Sequence, residues 1–194
     1  LDSGKRVKVK SAQVMLRFKN SKNVTARPSL PASATIPARS SVLVASIGMN
    51  DPIRGGDFEL VLDGLPGDPA SRPTDYEYRL PFDYANVRVD QGPGGSFSHN
   101  DPQNLYAVDF ALAEGTPILA VREGVVMQVE SDFEKAGLNR EKYGGRANFI
   151  RIVHDDGSMA VYAHLQPEGV QVRAGQRVRK GQRIGLSGNT GFST

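Results

Sequence analysis

The stretch around which this chain is organised is SFSHNDPQNLYAVDF, residues 96–110. It places an imidazole, His99, just after a glycine-rich turn, and a carboxylate, Asp109, inside a short apolar strand predicted over 106–110. A carboxylate in such a strand is costly to bury unless a hydrogen-bond network or a cation compensates its charge. A lone histidine in a loop is usually an inert surface residue, but the chain has only three histidines. We therefore hypothesise that His99 and Asp109 are two ligands of one metal ion.

The composition is ordinary for a globular protein and excludes several classes. The chain has 194 residues, of which 39% are hydrophobic and 23% charged, which fits one large or two small domains. The net charge of +3 is too small to predict a nucleic-acid partner, although it would suit a polyanionic surface such as a cell wall. There is no cysteine, so disulfides and thiolate zinc sites are excluded, and any metal must be held by histidine and carboxylate.

No apolar run approaches the length of a membrane helix, which is roughly 18 residues. The longest candidate, residues 42–49, is short and interrupted by Ser46 and Gly48. The sequence starts at Leu1 rather than methionine, and a removed signal peptide or a trimmed chain would both explain this start.

Several short runs within residues 1–80 alternate apolar and polar positions with period two, which predicts short strands. The alternation is clearest at 14–18, at 58–62 and at 76–80, and a further strand is predicted over 41–47. Glycine- and proline-rich turns separate these runs, and no helix of useful length is predicted. We expect a β-sandwich-like accessory domain over 1–80 without chemistry of its own, because it holds no histidine. A linker is predicted over 81–95, ending in QGPGG at 91–95.

Residues 96–194 are also predicted to be strands and turns. Strands are expected at 106–110, 118–121 and 124–129, and a single helical turn within 132–137. The Asp-Asp-Gly turn at 155–157 predicts a hairpin between strands at 148–154 and 158–165. Regularly spaced glycine and aliphatic residues after Val170 suit tight turns in a compact β core.

Two further histidines need an interpretation. His164 ends the predicted strand AVYAH and, by alternation, shares a face with Tyr162. This pair is either packing or a general base with a transition-state hydrogen-bond donor. His154 flanks the Asp-Asp-Gly turn and is interpreted as a surface residue.

Residues 96–194 resemble the lysostaphin/LytM-type zinc metallopeptidases, which hydrolyse peptide cross-links of peptidoglycan. The resemblance rests on His99, YAVDF at 106–110, GTP at 115–117, NFIRIVHDDG at 148–157, YAHL at 162–165 and SGNTG at 187–191. It implies an all-β chain in which the sandwich-like domain precedes a LytM-type (duplicated hybrid motif) β domain over 96–194. It further implies Zn²⁺ as cofactor, His99 and Asp109 as metal ligands, and His164 as a general base or oxyanion stabiliser. The expected substrate is a peptidoglycan peptide, and the expected location is secreted or periplasmic, with peripheral association at the bacterial cell envelope.

The sequence departs from the family pattern in two places. Nine residues separate His99 from Asp109, more than is common in the family, so the loop 100–105 must fold back to bring them together. The family motif also continues beyond SGNTG into a His-Leu-His strand that supplies the third zinc ligand and a second catalytic histidine. No histidine follows His164 before Thr194, so we expect this chain to hold two of three protein ligands and to bind metal weakly or not at all.

Two other functions stay open. A catalytically incomplete LytM-type domain would bind peptidoglycan or activate another cell-wall hydrolase. A small carrier or phosphotransfer domain would share the glycine-punctuated strand pattern. However, Lys180 is a poor attachment site for a carrier, and Asp109 would repel a phosphate.

Overall fold

The computed structural model describes residues 15–19, 25–26, 59–63, 67 and 71–193. These residues are nearly all β, as predicted, and contain a single four-residue helix. The elements are β1 (Met15–Lys19), β2 (Thr25–Ala26), β3 (Glu59–Asp63), β4 (Val89–Gln91), β5 (Asp109–Phe110), β6 (Pro117–Leu119), β7 (Gly124–Glu130), α1 (Arg140–Tyr143), β8 (Asn148–Val153), β9 (Met159–Val170), β10 (Arg177–Val178) and β11 (Arg183–Ser187).

The chain divides into two compact units, one formed by residues 1–74 with 155–159 and the other by 75–154 with 160–194. In the first unit, β1 pairs antiparallel with β2 on one side and with β3 on the other. This three-stranded sheet does not confirm a β-sandwich, and the strand expected over 41–47 lies outside the described residues. The division into 1–80, 81–95 and 96–194 stays a prediction.

The second unit is built on a curled antiparallel sheet of six strands in the order β10-β7-β8-β9-β11-β6. Alternate residues of β8 point into the core, which buries Asn148, Ile150 and Ile152. The core also contains residues from each of the other five strands and from the turns between them. In β10, Val178 is buried in the core and Arg177 is exposed. Its buried members are Ile118, Ala120, Val126, Ile150, Ile152, Tyr162, Leu165, Val172, Val178 and Ile184.

The hairpin predicted across residues 155–157 is confirmed, because β8 and β9 are neighbours in the sheet and the Asp-Asp-Gly turn joins them. Local turn chemistry explains it. The Asp156 carboxylate accepts hydrogen bonds from both the backbone nitrogen and the hydroxyl of Ser158, at 3.0 and 2.6 Å, as expected of an aspartate in a tight turn.

Three local predictions are wrong. The strand expected over 106–110 is limited to Asp109–Phe110, because residues 101–106 form a turn. The helical turn lies at Arg140–Tyr143 rather than within 132–137, and it begins where the Asn139 side chain accepts a hydrogen bond from the Lys142 backbone nitrogen. Asn is among the preferred N-cap residues. Residues 71–80 contain no regular strand.

Candidate metal centre

The two-stranded pair of β4 and β5 positions the carboxylate of Asp109. The strands are antiparallel, and Asp109 lies directly opposite Gln91 in the register. Opposite residues of such a pair bring their side chains together on one face. The Gln91 side-chain nitrogen donates a hydrogen bond of 3.2 Å to Asp109 Oδ2, which leaves Oδ1 available on the other side of the carboxylate.

The turn after His99 folds the chain back toward Asp109. Asp101 Oδ1 accepts hydrogen bonds from the backbone nitrogens of Gln103 and Asn104, at 2.9 and 3.1 Å. The Asn104 side chain donates to the same carboxylate, and this bond is the main reason why the pKa of Asp101 lies below its usual value. The loop between His99 and Asp109 therefore folds back, as it must if two residues with nine others between them are to meet.

The structure brings His99 and Asp109 together. His99 is buried, with 3% of its surface exposed, and its Nε2 atom lies 3.3 Å from Asp109 Oδ1. Its Nδ1 atom lies 2.9 Å from the carbonyl oxygen of Gly92. A carbonyl oxygen only accepts, so Nδ1 carries the proton, and in the neutral ring the lone pair of Nε2 is directed at the carboxylate.

Two acceptor atoms that face each other need a cation or a proton between them, and this pair fits a metal ion. Imidazole nitrogen and carboxylate oxygen are both ligands of zinc, and two ligand atoms of one tetrahedral zinc are about 3.3–3.4 Å apart. The hydrogen bond from Nδ1 to a backbone carbonyl is the outer-shell contact that metal-binding histidines usually make. The Asp109 side chain is 45% exposed, which leaves the pair accessible. Among the described residues, no group of three or more potential ligands is found.

The backbone carbonyl of Thr190 holds the side chain of His164. Its Nδ1 atom lies 2.8 Å from the Thr190 carbonyl oxygen, so Nδ1 is again the protonated atom. The Thr190 hydroxyl donates to Leu165 O at 2.7 Å and accepts from the Asn148 backbone nitrogen at 3.0 Å. His164 has a φ of +58°, which is uncommon for a residue other than glycine and is often found at functional sites.

A stacked aromatic pair joins the His99 loop to the Thr190 segment. The rings of Phe97 and Phe192 lie 5.6 Å apart at an interplanar angle of 11°. Phe97 precedes His99 by two residues, and Phe192 follows Thr190 by two residues. The segment that holds His164 and the loop that carries His99 are therefore neighbours in the structure.

Tyr162 lies in the hydrophobic core, so the structure supports the packing interpretation of this residue. It is 8% exposed, and its hydroxyl oxygen accepts a hydrogen bond of 2.8 Å from the Val121 backbone nitrogen. Burial raises the pKa of Tyr162 to about 12. Beyond Tyr162 the regular alternation of the strand is interrupted, because His164 has a left-handed backbone and the next residue, Leu165, is buried like Tyr162.

His154 is also not the surface residue that its position beside a turn predicts. It is 2% exposed, its Nδ1 atom lies 2.7 Å from the Glu123 carbonyl oxygen, and its ring packs edge-on against Tyr78. We assign it a structural position.

Sequence reasoning missed Gln91, Gly92 and Thr190, which contact the three site residues. Gln91 and Gly92 lie in the QGPGG run that was interpreted as a linker, and Thr190 lies in the SGNTG motif. Their contacts join positions distant in sequence or depend on turn geometry. Of these three residues, only Gln91, a polar residue at the start of a glycine-rich run, could have been selected from the sequence as a candidate site residue.

Comparison with known proteins finds similarity over the region that contains Asp109 and His164. Residues 103–194 match Peptidase family M23. This match confirms the resemblance to lysostaphin/LytM-type peptidases over about half of the chain.

Three curated relatives illustrate the similarity. An uncharacterized metalloprotease of Haemophilus influenzae is 39% identical over 87 residues, which are 45% of this chain and 16% of the relative. The peptidoglycan DD-endopeptidase ShyA of Vibrio cholerae is 36% identical over 107 residues, 50% of this chain and 22% of the relative. Lysostaphin of Staphylococcus simulans is 39% identical over 90 residues, 46% of this chain and 16% of the relative. The chain thus spans less than a quarter of the length of these relatives.

Proposed function

We propose that the protein is a zinc-dependent endopeptidase that hydrolyses peptide cross-links of bacterial peptidoglycan. The observation that carries the proposal is the approach of His99 Nε2 to Asp109 Oδ1 at 3.3 Å, with each group fixed from behind by a hydrogen bond. This arrangement lies in or beside the region that matches Peptidase family M23, and relatives that match this region carry the names of peptidoglycan and glycyl-glycine endopeptidases.

In this proposal His99 and Asp109 are the first two protein ligands of the metal. When bound, zinc supplies a Lewis acid for the scissile carbonyl and a water of lowered pKa. The family pattern places the third ligand in a His-Leu-His strand after SGNTG. Among the described residues, no third His, Asp, Glu or Cys joins this pair.

His164 is the proposed catalytic histidine. Because its Nδ1 atom donates to the Thr190 carbonyl, its Nε2 atom is the one that can exchange a proton with the reacting groups. In the neutral ring this nitrogen accepts a proton from the attacking water, and in the protonated ring it donates a hydrogen bond to the developing oxyanion. Tyr162 is not part of the proposed machinery, because its hydroxyl lies in the core.

The proposed substrate is a peptide of the cell wall, and the proposed location is the secreted or periplasmic space, at the surface of the envelope. Among the described residues no helix has the length and apolar character to cross a membrane.

The test uses the protein encoded by the full reading frame that contains this chain. We expect it to bind about one zinc per molecule and to release soluble peptides from purified peptidoglycan. The variants His99→Ala and Asp109→Ala should lose both zinc and cleavage, whereas Asp132→Asn, which changes an exposed carboxylate outside the site, should lose neither. Full cleavage by protein that carries no metal would refute the proposal.

A second candidate is a catalytically incomplete domain that binds peptidoglycan or activates another hydrolase. This candidate predicts that the protein sediments with purified peptidoglycan, releases no peptide, and keeps its binding when His164 is replaced by alanine.

A further inference from the structure

The side chain of Gln91 contacts Asp109 and the two residues that precede His99. Its nitrogen donates to Ser98 Oγ at 2.7 Å and to Asp109 Oδ2 at 3.2 Å. Its oxygen accepts from the backbone nitrogens of Phe97 and Ser98, at 3.1 and 3.3 Å. Both side-chain atoms of the amide are therefore used, in a half-buried position.

Gly95 leaves the space that this side chain occupies. A Cβ atom at residue 95 would lie 2.2 Å from Gln91 Cγ and 2.5 Å from its Cδ, which is closer than atoms can approach. The three nearest atoms all belong to Gln91. The absence of a side chain at residue 95 thus serves the conformation of Gln91.

We propose that Gln91 is a positioning residue that aims the Oδ1 atom of Asp109 at the metal and locks the His99 loop beside it. This inference rests on the proposed function, since it assigns Asp109 to a metal. Because Oδ2 is engaged by the Gln91 amide, Oδ1 would be the atom of Asp109 that remains to hold the ion. Because the same amide binds the backbone of Phe97 and Ser98, the carboxylate and the loop that ends in His99 are fixed by one group.

A glutamine that only stabilised the loop would not need the contact to Asp109. Phe97 and Ser98 could be held by any acceptor, whereas the amide nitrogen is placed opposite a carboxylate across the β4–β5 pair. Outer-shell partners of metal ligands typically change metal affinity about 10- to 100-fold when they are removed.

The test compares four forms of the protein encoded by the full reading frame that contains this chain: the wild type, Gln91→Ala, Gly95→Ala and the double variant. Co²⁺ is the probe, and its affinity and visible absorption spectrum are measured by titration. We expect Gln91→Ala to weaken Co²⁺ binding about 10- to 100-fold, and Gly95→Ala to do the same by expelling the Gln91 side chain. In the Gln91→Ala background, the Gly95 change should have no further effect, because the clash is gone.

Gln182→Ala is the matched control. Gln182 is also half-buried, and its side-chain oxygen also accepts from a backbone nitrogen, that of Arg179 at 3.1 Å. It makes none of the contacts of the metal pair, so its removal should leave Co²⁺ affinity unchanged. Equal Co²⁺ affinity of the wild type and Gln91→Ala, or additive effects in the double variant, would overturn the inference.

A metal-free measurement separates this inference from the proposed function. In the NMR spectrum of the apoprotein, the Gln91 amide protons should exchange more slowly than those of exposed glutamines, and Gln91→Ala should shift the carboxyl carbon of Asp109. If these signals behave as expected and the wild type binds no Co²⁺, the metal proposal fails while the positioning contact stands. If Gln91 exchanges freely and the Asp109 carbon does not move, the positioning role fails whatever the metal does.

Discussion

The carbonyl oxygen of Thr190 lies 2.8 Å from Nδ1 of His164, and the hydroxyl of the same threonine joins β8 to the strand that carries His164. Through this hydroxyl, Asn148 N and Leu165 O both have a buried partner. Thr190 therefore fixes the tautomer of the proposed catalytic histidine and also hydrogen-bonds the backbone of the two strands beside it.

This arrangement predicts that two substitutions of Thr190 differ in how much they lower the free energy of unfolding. Thr190→Val keeps the shape but removes the hydroxyl, which leaves the buried Asn148 nitrogen unpaired, and we expect a loss of about 2 kcal/mol in the free energy of unfolding. Thr190→Ser keeps the hydroxyl and should lose only about 1 kcal/mol, for the methyl group. Urea unfolding at pH 7 measures both. Equal stability of the valine variant and the wild type would show that the hydroxyl is not holding this backbone.

The stack of Phe97 on Phe192 predicts an energetic coupling between the His99 loop and the Thr190 segment. Replacing either ring by alanine should destabilise the protein, and the two losses should not add, with a coupling of about 0.5–1.5 kcal/mol. A double-mutant cycle in urea provides the number, with Leu138→Ala, an exposed apolar residue, as a partner that should show no coupling to Phe97. Strictly additive effects of the two phenylalanine changes would mean that the rings do not connect the two segments.

The buried hydroxyl of Tyr162 predicts a dependence of stability on alkaline pH. The pKa of Tyr162 is raised to about 12 in the folded protein and is about 10 in an unfolded chain. Since the unfolded state releases the proton first, the stabilisation is present below pH 10 and is lost as the pH rises toward 12. The loss between pH 9 and 11 should be about 1.3 kcal/mol.

Urea unfolding of the wild type and of Tyr162→Phe over this pH range isolates that contribution, because other titrating groups are common to both proteins. Tyr162→Phe should be less stable at pH 8, since Val121 N loses its acceptor, but its stability should fall less steeply with pH. Tyr106→Phe, at a residue 83% exposed, should follow the wild-type slope. A Tyr162→Phe protein with that same slope would contradict the burial of an unionised hydroxyl.

His164 should be essential for cleavage and dispensable for the metal. In the full reading frame, His164→Ala is expected to lower the rate of peptide release from purified peptidoglycan by about 10²–10⁴, with the zinc content unchanged. Peptide release by chromatography and metal by elemental mass spectrometry give the two values. Loss of zinc together with activity would place His164 among the ligands instead.

The sequence anticipates those features that depend on short stretches of chain. The Asp-Asp-Gly turn predicts its hairpin because the turn residues and the flanking strands are adjacent. The sequence also predicts that His99 and Asp109 lie together, and the structure places them side by side, although the strand is only two residues long and the Asp109 side chain is 45% exposed. The role of Gln91 could not be predicted, because its contacts depend on the register of β4 against β5 and on the space at Gly95. The sequence left open whether Tyr162 is a packing residue or a hydrogen-bond donor, because alternation alone does not tell which face of a strand is buried.

The most direct test of the metal proposal is a zinc titration, with ¹⁵N-labelled histidine, of the protein encoded by the full reading frame that contains this chain. The three histidines of this chain can be assigned by single replacements. We expect zinc to shift the Nε2 signal of His99 while Nδ1 stays bonded to Gly92 and the buried His154 does not respond. In Asp109→Asn the same shift should require at least about tenfold more zinc. If millimolar zinc leaves His99 unchanged, or shifts it equally in Asp109→Asn, the proposal that these two residues form a metal pair is wrong.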